Sequence, residues 1–345
     1  MKRLSLLLIG GLAVLTAGAQ STQRQPFLTK TFPRASVKAI EAQTSGGNIG
    51  VEGIASGDAR VEVYISGDGR HEADKEEIQK LLSEQYDLEV ALEGNKLVAV
   101  AKQKSGWQNS WRRGLSISFR IFTPEAVGTH VRTSGGNVSM KNLSGSQDFR
   151  TSGGNLDISG LTGTILGRTS GGNVTISDSH DDINLETSGG NMDASRCEGK
   201  IQLETSGGNI GLRSVKGTIH ARTSGGQVEG GKINGELQAH TSGGNIELDE
   251  VSASLEASTS GGHIHVDLLS PGKYVDLSNS GGDISLNLPQ GQGMDLKVSG
   301  DRIHTTTMNN FKGDMDEHHI SGSLNGGGVP VKVDGGGGQV HLNFK

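Results

Sequence analysis

The sequence predicts an all-β protein, a single-chain β-helix or β-solenoid with coils of 18 residues. The tetrapeptide Thr-Ser-Gly-Gly occurs eight times at a constant spacing of 18 residues, from Thr133 to Thr259, and an earlier copy begins at Thr44. Gly accounts for 55 of the 345 residues, whereas aromatic residues make up only 3%. This composition suits a thin aliphatic core rather than a conventional globular one.

Apolar residues recur at fixed positions within each repeat, counted here from its Thr. Five residues after Thr stand Val138, Leu156, Val174, Met192, Ile210, Val228, Ile246 and Ile264. Fourteen residues after Thr stand Ile165, Ile183, Ile201, Ile219, Leu237 and Leu255. Polar residues alternate with these apolar ones, which is typical of a strand with one buried face. Each coil is therefore predicted to contain two short strands joined by two bends.

The Thr-Ser-Gly-Gly segment is predicted to form one of these bends. We expect its two glycines to adopt positive φ, which a tight corner favours. Alternation places the Thr inward and leaves the Ser outside. Asn stands four residues after Thr in six of the eight repeats and predicts a ladder of side-chain amide hydrogen bonds along the stack.

The first 19 residues have the features of a secretory signal peptide. Lys2 and Arg3 precede an apolar run from Leu4 to Leu15, and Ala17-Gly18-Ala19 resembles a cleavage site. The run is too short for a stable membrane span, and no other segment approaches the necessary length. We therefore expect an exported protein, located in the periplasm, at the cell surface or outside the cell, whose mature chain has no transmembrane segment.

Residues 50–132 interrupt the 18-residue period, and residues 20–132 are predicted to form the amino-terminal strands, the helix and the cap of the solenoid. This part includes one short amphipathic helix, Glu72–Gln85, with Ile78, Leu81 and Leu82 on one side. A hairpin is expected to follow it and to turn at Gly94-Asn95. Residues 133–345 are predicted to hold the regular repeats and the closing strands.

Three features resemble a bacterial family of exported β-strand-repeat proteins that are described as adhesins and contain a domain of unknown function. They are the repeated Thr-Ser-Gly-Gly-Asn units, the Glu-rich helix before Tyr86-Asp87-Leu88, and the Ser-Gly-Trp loop before a strand that ends at Phe122-Thr123-Pro124. The resemblance implies a β-helix fold and a place in the cell envelope. It implies no particular functional residues.

The net charge argues against a nucleic-acid partner. Removing Lys2 and Arg3 from the 32 basic residues leaves 30 against 38 acidic residues, a net charge of −8 for the mature chain. Nucleic acids are bound by basic surfaces. No pattern in the sequence predicts a cofactor, and the expected partner is an envelope polymer, a glycan or a protein.

The sequence does not favour a metal site. Calcium-binding β-rolls also have Gly-rich repeats, but apolar residues occupy their ligand positions here. His263 and His265 lie two residues apart and could bind a metal together with Asp283, and the pair His318-His319 is a similar candidate. A solvated strand face is the favoured interpretation for both. The single cysteine, Cys197, occupies an inward column and is predicted to fill space in the core.

Two groups of residues are weak candidates for ligand binding. Trp107, Trp111, Arg112 and Arg113 lie in one polar loop and belong to residue types that are enriched at binding hot spots. The alternative is that the Trp rings pack over the end of the solenoid. The second group, Arg132, Arg150 and Arg168, is predicted to stack in one outer column that could bind an anion or remain solvated.

We therefore predict an exported, non-enzymatic interaction module of the cell envelope or surface, similar to an adhesin. The alternative is a β-helix enzyme that acts on polysaccharides. Asp181-Asp182 and Asp249-Glu250 are its candidate carboxylates, without an obvious partner residue. Such an enzyme would need carboxylates, basic residues and aromatic side chains together in one outer groove.

Overall fold

The structure, a computed structural model, describes residues 25–67, 75–104 and 114–345. Its amino-terminal part contains one α-helix, α1 (Lys75–Gln85), and a 3-10 turn at Arg34–Ser36. The strands of this part are β1 (Leu28–Phe32), β2 (Ala39–Gln43), β3 (Ile49–Ile54), β4 (Ala59–Gly67), β5 (Tyr86–Glu93), β6 (Lys96–Gln103), β7 (Leu115–Pro124), β8 (Gly128–Arg132) and β9 (Val138–Lys141).

The repeat region continues with parallel strands. They are β10 (Ser144–Arg150), β11 (Leu156–Ser159), β12 (Thr162–Arg168), β13 (Val174–Ser177), β14 (His180–Glu186), β15 (Met192–Ser195), β16 (Glu198–Glu204), β17 (Ile210–Arg222), β18 (Val228–His240), β19 (Ile246–Thr259) and β20 (Ile264–Asn279). The last seven strands are β21 (Ile284–Leu288), β22 (Met294–Ser299), β23 (Arg302–Thr305), β24 (Phe311–Met315), β25 (His319–Leu324), β26 (Val329–Asp334) and β27 (Gln339–Phe344).

The prediction of an all-β protein with one helix is confirmed, and the arrangement fits a β-solenoid. The strand segments that end just before a Thr-Ser-Gly-Gly corner stack into one surface, called face A. The segments that follow a corner stack into a second surface, called face B. The long strands β17 to β20 run from one corner to the next, so each begins on face B and ends on face A. In the repeat region, neighbouring strands pair in parallel, for example Ile165 with Ile183 and Leu156 with Val174. The aliphatic columns point inward between the two faces and are almost fully buried.

Each corner is held by the hydroxyl group of its Thr. These Thr side chains are buried, as predicted, and Thr205 is only 2% exposed. The Thr205 hydroxyl donates to the carbonyl of Gly190 in the preceding coil at 3.0 Å and accepts from the N–H of Gly208 at 3.3 Å. Asn279 replaces Thr in the last corner, and its amide makes both bonds, to Gly262 and from Gly282. The corner therefore requires a short side chain that both donates and accepts.

The predicted role of the Ser-Gly-Gly glycines is wrong. None of them has a positive φ. The second glycine is instead required because successive backbones approach closely at the corner. A Cβ atom on Gly208 would lie 2.0 Å from the carbonyl oxygen of Gly190, and the same short distance recurs at each second glycine along the stack. A Cβ atom on the first glycine, Gly207, would meet no atom closer than 3.7 Å.

Left-handed backbone occurs instead at the opposite bend. The position nine residues after Thr has φ values between 51° and 65° and is filled by Asn142, Gly160, Asp178, Arg196, Ser214, Lys232 and Glu250. The glycine column three residues later has φ values of 106° to 125°. The second bend therefore contains two positions with left-handed backbone, and one of them is filled mostly by residues other than glycine.

The Asn column forms a ladder, but not between side-chain amides. The side-chain oxygen of Asn155 accepts from the backbone N–H of Asn173 at 2.9 Å, and Asn173 repeats this bond with Asn191. The ladder therefore joins each side chain to the main chain of the next coil. Gln227 departs from this pattern, because its side-chain amide donates to Glu229 and, within the described residues, its side chain accepts no bond from the N–H of Asn245.

Both ends of the stack are interleaved. Strand β2 lies between β6 and β8, and β3 lies between β7 and β9. Strands β6 and β7 therefore stack on the side of β2 and β3 that faces away from the repeats, although they follow β2 and β3 in the chain. At the other end, β26 lies between β20 and β22, and β27 lies between β21 and β23. The last coil of the chain is therefore not the last layer of the stack.

The amino-terminal end is closed by α1 and the antiparallel hairpin of β5 and β6. Leu81 and Leu82 of α1 pack against the core, as the amphipathic pattern predicts. Strand β4 pairs antiparallel with β7 on one side and with β1 on the other. Within the described ranges, no helix is long and apolar enough to cross a membrane.

The corner geometry predicts opposite effects for two adjacent glycines. We expect Gly208→Ala to lower the free energy of unfolding by about 1–3 kcal/mol, because the Cβ atom overlaps a backbone carbonyl that cannot move aside. The matched variant Gly207→Ala should be neutral or slightly stabilising. Urea denaturation followed by circular dichroism measures both, and equal effects of the two variants would contradict this assignment.

The interrupted ladder predicts a stabilising substitution. Gln227→Asn places a side-chain oxygen where the other coils have one, so we expect a gain of about 0.5–1.5 kcal/mol in the free energy of unfolding. The reverse change at an intact step, Asn191→Gln, should cause a loss of similar size. Thermal denaturation of the two variants compares them directly, and the idea fails if Gln227→Asn is destabilising.

Candidate functional site

An outward-facing glycine on face B opens a groove near the amino-terminal end of the stack. Gly50 points away from the core, and a Cβ atom placed on it would have no heavy atom within 4 Å. The resulting cavity has a volume of about 1050 Å³. We call it the Gly50 groove, and its principal lining residues are Gly50, Glu52, Arg60, Glu62, Tyr64, Arg120, Phe122 and Lys141.

Strand pairing arranges these side chains in two rows. Arg60 lies opposite Phe122 in the β4–β7 pair, and Phe122 lies opposite Glu52 in the β7–β3 pair. In the second row, Arg120 lies between Glu62 and Gly50. The intervening residues of these strands face the core, so the rows are fixed on a rigid sheet.

Phe122 is the centre of the first row. The guanidinium carbon of Arg60 lies 4.2 Å from the centre of its ring, and that of Arg120 lies 4.8 Å away. Both distances are within the range of cation–π contacts. The two arginine side chains cover the ring, which leaves Phe122 only 9% exposed. The groove therefore has positioned guanidinium groups rather than an open aromatic surface.

Glu62 orients the polar wall of the groove. One of its carboxylate oxygens accepts from Arg60 Nε at 2.8 Å, and the other accepts from the Tyr64 hydroxyl at 2.8 Å. Burial raises the pKa of the Tyr64 hydroxyl, and its hydrogen bond to Glu62 raises it further. Tyr64 is therefore protonated at neutral pH and acts as a donor.

Two basic side chains at the groove, Arg120 and Lys141, have no carboxylate within hydrogen-bond distance among the described residues. Arg120 Nη2 lies 3.8 Å from Glu52 Oε2, which is longer than a hydrogen bond. Among the described residues, no carboxylate lies within 4 Å of the exposed Lys141 ammonium group. Three basic and two acidic side chains line the groove, in a chain with a net charge of −6.

A second groove on face B surrounds the outward-facing Gly231 and has a volume of about 510 Å³. It brings Asp249 and Glu250, two of the predicted carboxylates, together with basic residues from neighbouring coils. The charged residues that line it are Asp193, Arg213, Glu229, Lys232, Glu247, Asp249 and Glu250. None of its lining residues is aromatic. Asp181, the other candidate, lies at the second bend with a φ of 84°.

The arginine column predicted from sequence aligns in register, with Arg150 between Arg132 and Arg168. Its two outer members are paired with carboxylates: Arg132 bonds Asp148, and Arg168 Nε lies 3.1 Å from Glu186. Burial raises the pKa of Asp148, but the hydrogen bond and charge of Arg132 outweigh it and hold that pKa below its ordinary value. The loop that contains Trp107, Trp111, Arg112 and Arg113 lies outside the described residues, as does the signal-peptide segment.

One of the histidines proposed as metal ligands, His263, takes part in the ladder at the corners. His263 Nδ1 accepts from the N–H of Asp283 at 3.1 Å, and Asp283 accepts from the N–H of Gln339 at 2.9 Å. His318 Nδ1 lies 2.7 Å from the Asp301 carbonyl oxygen. Within the described residues, no group of three or more His, Cys, Asp and Glu side chains could hold a metal ion. Cys197 is buried, as predicted, and burial raises the pKa of its thiol.

Sequence reasoning missed the Gly50 groove, although β7 contains a signal for it. The outward positions of this strand are Ser116, Ser118, Arg120 and then Phe122, so an aromatic residue stands where alternation calls for a polar one. Gly50 gives the matching signal on β3, as a glycine in an outward strand position. The cross-strand neighbours that complete the site depend on the pairing of β4 with β7, which the sequence pattern does not specify.

Three solved structures align with most of this chain. They are a putative cell adhesion protein from Clostridium sporogenes (9% identity, TM-score 0.19), a putative adhesin from Bacteroides fragilis (15%, 0.22) and a putative lipid binding protein from Parabacteroides distasonis (14%, 0.27). Each alignment covers 92% of this chain and 98%, 96% and 97% of the respective structure. These TM-scores are too low to support an argument about function.

No curated protein matches the sequence. A family model does match it, over residues 163–343, and is described as Toastrack DUF4097. The matched segment contains most of the repeats and all of the carboxyl-terminal strands. Because the match covers more than half of the chain and agrees with the family resemblance found in the sequence, this protein belongs to the Toastrack DUF4097 family, a domain of unknown function.

Proposed function

We propose that this protein is an exported, non-enzymatic interaction module of the cell envelope or surface, similar to an adhesin. The observation that carries the proposal is the Gly50 groove, a large outer cavity with fixed arginine and tyrosine side chains on a rigid sheet. Fixed polar groups bind a partner with a small loss of side-chain entropy. The solenoid acts as a scaffold that holds this surface in place.

We propose that residues 105–113, which precede β7, also take part in binding the partner. We propose that Trp107 and Trp111 supply apolar contact area and that Arg112 and Arg113 pair with carboxylate or phosphate groups of the partner. The column of Arg132, Arg150 and Arg168 is a weaker anion site in this proposal, because two of its three charges are already paired.

Retention on the cell envelope tests this function. The mature protein, residues 20–345, is expected to bind an envelope or cell-surface fraction of the producing bacterium and to remain bound after washing. A folded solenoid of similar charge with no relation to this family serves as the control. Equal retention of the two proteins would contradict the proposed function.

The double variant Trp107→Ala/Trp111→Ala is expected to lose at least about 90% of this retention, because the loss of two aromatic anchors costs more than about 2 kcal/mol of binding energy. The matched control is Leu269→Ala/Met315→Ala, which removes two large apolar side chains that are 55% and 56% exposed. Circular dichroism confirms that both variants are folded. A folded Trp variant that is fully retained would place the contact on the strands instead.

A further inference from the structure

The Gly50 groove has the dimensions and polarity of a ligand site rather than of an irregularity between strands. Its volume of about 1050 Å³ is just above the range that is usual for small-molecule sites. One outward position, Gly50, lacks a side chain between Arg120 and Ser139, its neighbours on β7 and β9. A long side chain at position 50 would occupy the space between these two residues.

The groove has both polar and apolar lining residues, among them Pro26 and Tyr64. Its most enclosed aromatic ring is covered, because Phe122 is 9% exposed beneath the guanidinium groups of Arg60 and Arg120. We therefore expect a ligand to make its specific contacts with the polar side chains of the two rows.

The cations at the groove point to a carboxylate on that ligand. Arg120 Nη2 lies 3.8 Å from Glu52 Oε2, beyond hydrogen-bond distance, and the exposed Lys141 has no carboxylate within 4 Å among the described residues. A guanidinium group binds a carboxylate through two parallel hydrogen bonds. Arg60, in contrast, is already bonded to Glu62 and orients that carboxylate rather than the ligand.

The remaining polar groups suit the hydroxyl groups of a sugar. Glu62 is a fixed acceptor, held by Arg60 and Tyr64, and Ser139 faces the gap from β9 as both donor and acceptor. Sugar hydroxyl groups donate and accept in the same way, so they can satisfy acceptors and donors that alternate across two rows of side chains. A ligand with phosphate groups alone would leave the Glu62 carboxylate facing a like charge.

We propose that the Gly50 groove binds an acidic oligosaccharide, with its carboxylates on Arg120 and Lys141 and its hydroxyl groups on Glu62 and Ser139. This inference rests on the proposed interaction function and names the chemical class of the ligand.

The test measures the binding of short oligosaccharides of galacturonate, mannuronate and hyaluronan to the mature protein, each beside its carboxyl-reduced neutral form. Isothermal titration calorimetry is expected to show binding of at least one acidic form, at least about tenfold tighter than its neutral counterpart. Gly50→Gln is expected to weaken this binding by at least about tenfold, because the added side chain occupies the space between Arg120 and Ser139. Arg120→Gln should weaken the acidic form and leave any residual binding of the neutral form unchanged.

The matched control is Gly231→Gln. Gly231 also faces outward on face B with no heavy atom within 4 Å of a Cβ atom, and it lies in the other groove. This variant should bind like the wild type. The inference is overturned if no acidic form binds more tightly than its neutral form, or if Gly50→Gln and Gly231→Gln bind equally. Retention of wild-type protein on the envelope fraction despite either result would leave the proposed function standing and remove only the saccharide ligand.

Discussion

The stack depends on the hydrogen bonds that the buried Thr hydroxyl groups make at each corner. Thr205 connects its own corner to the carbonyl of Gly190 in the coil before it, and the same pair of bonds recurs from coil to coil. The bonds are possible only because the second glycine allows the backbones to approach so closely. Register, strand pairing and the inward columns all follow from this contact, because it fixes each coil relative to its neighbours.

Much of this fold could be predicted from sequence because the repeat is short and its period is constant. Equivalent positions in the eight repeats share one environment, so each repeat tests the same assignment again. The inward Thr and aliphatic columns were identified because eight repeats agree on them. The role of Gly208 was assigned wrongly because a glycine can be required by positive φ or by close backbone approach, and a sequence does not distinguish the two. The interleaved ends were missed because no repeat describes them.

The candidate site likewise combines residues that stand out in the sequence with neighbours that only the structure shows. Phe122 and Gly50 were visible as exceptions to strand alternation, yet nothing in the sequence indicated that their strands, β7 and β3, pair so that both residues line one groove. Arg60 comes from β4, which reaches the groove by antiparallel pairing with β7 in the irregular amino-terminal part. The larger of the two grooves thus lies in the part of the chain where the period is broken.

The interleaved carboxyl-terminal end has a mechanical consequence. A strand at the edge of a sheet can be peeled away one hydrogen bond at a time when the chain end is pulled. Strand β27 has neighbours on both sides, β21 and β23, and β26 is enclosed in the same way. A load applied at Lys345 must therefore break two ladders together, so tension along the chain meets a clamped layer rather than a free edge.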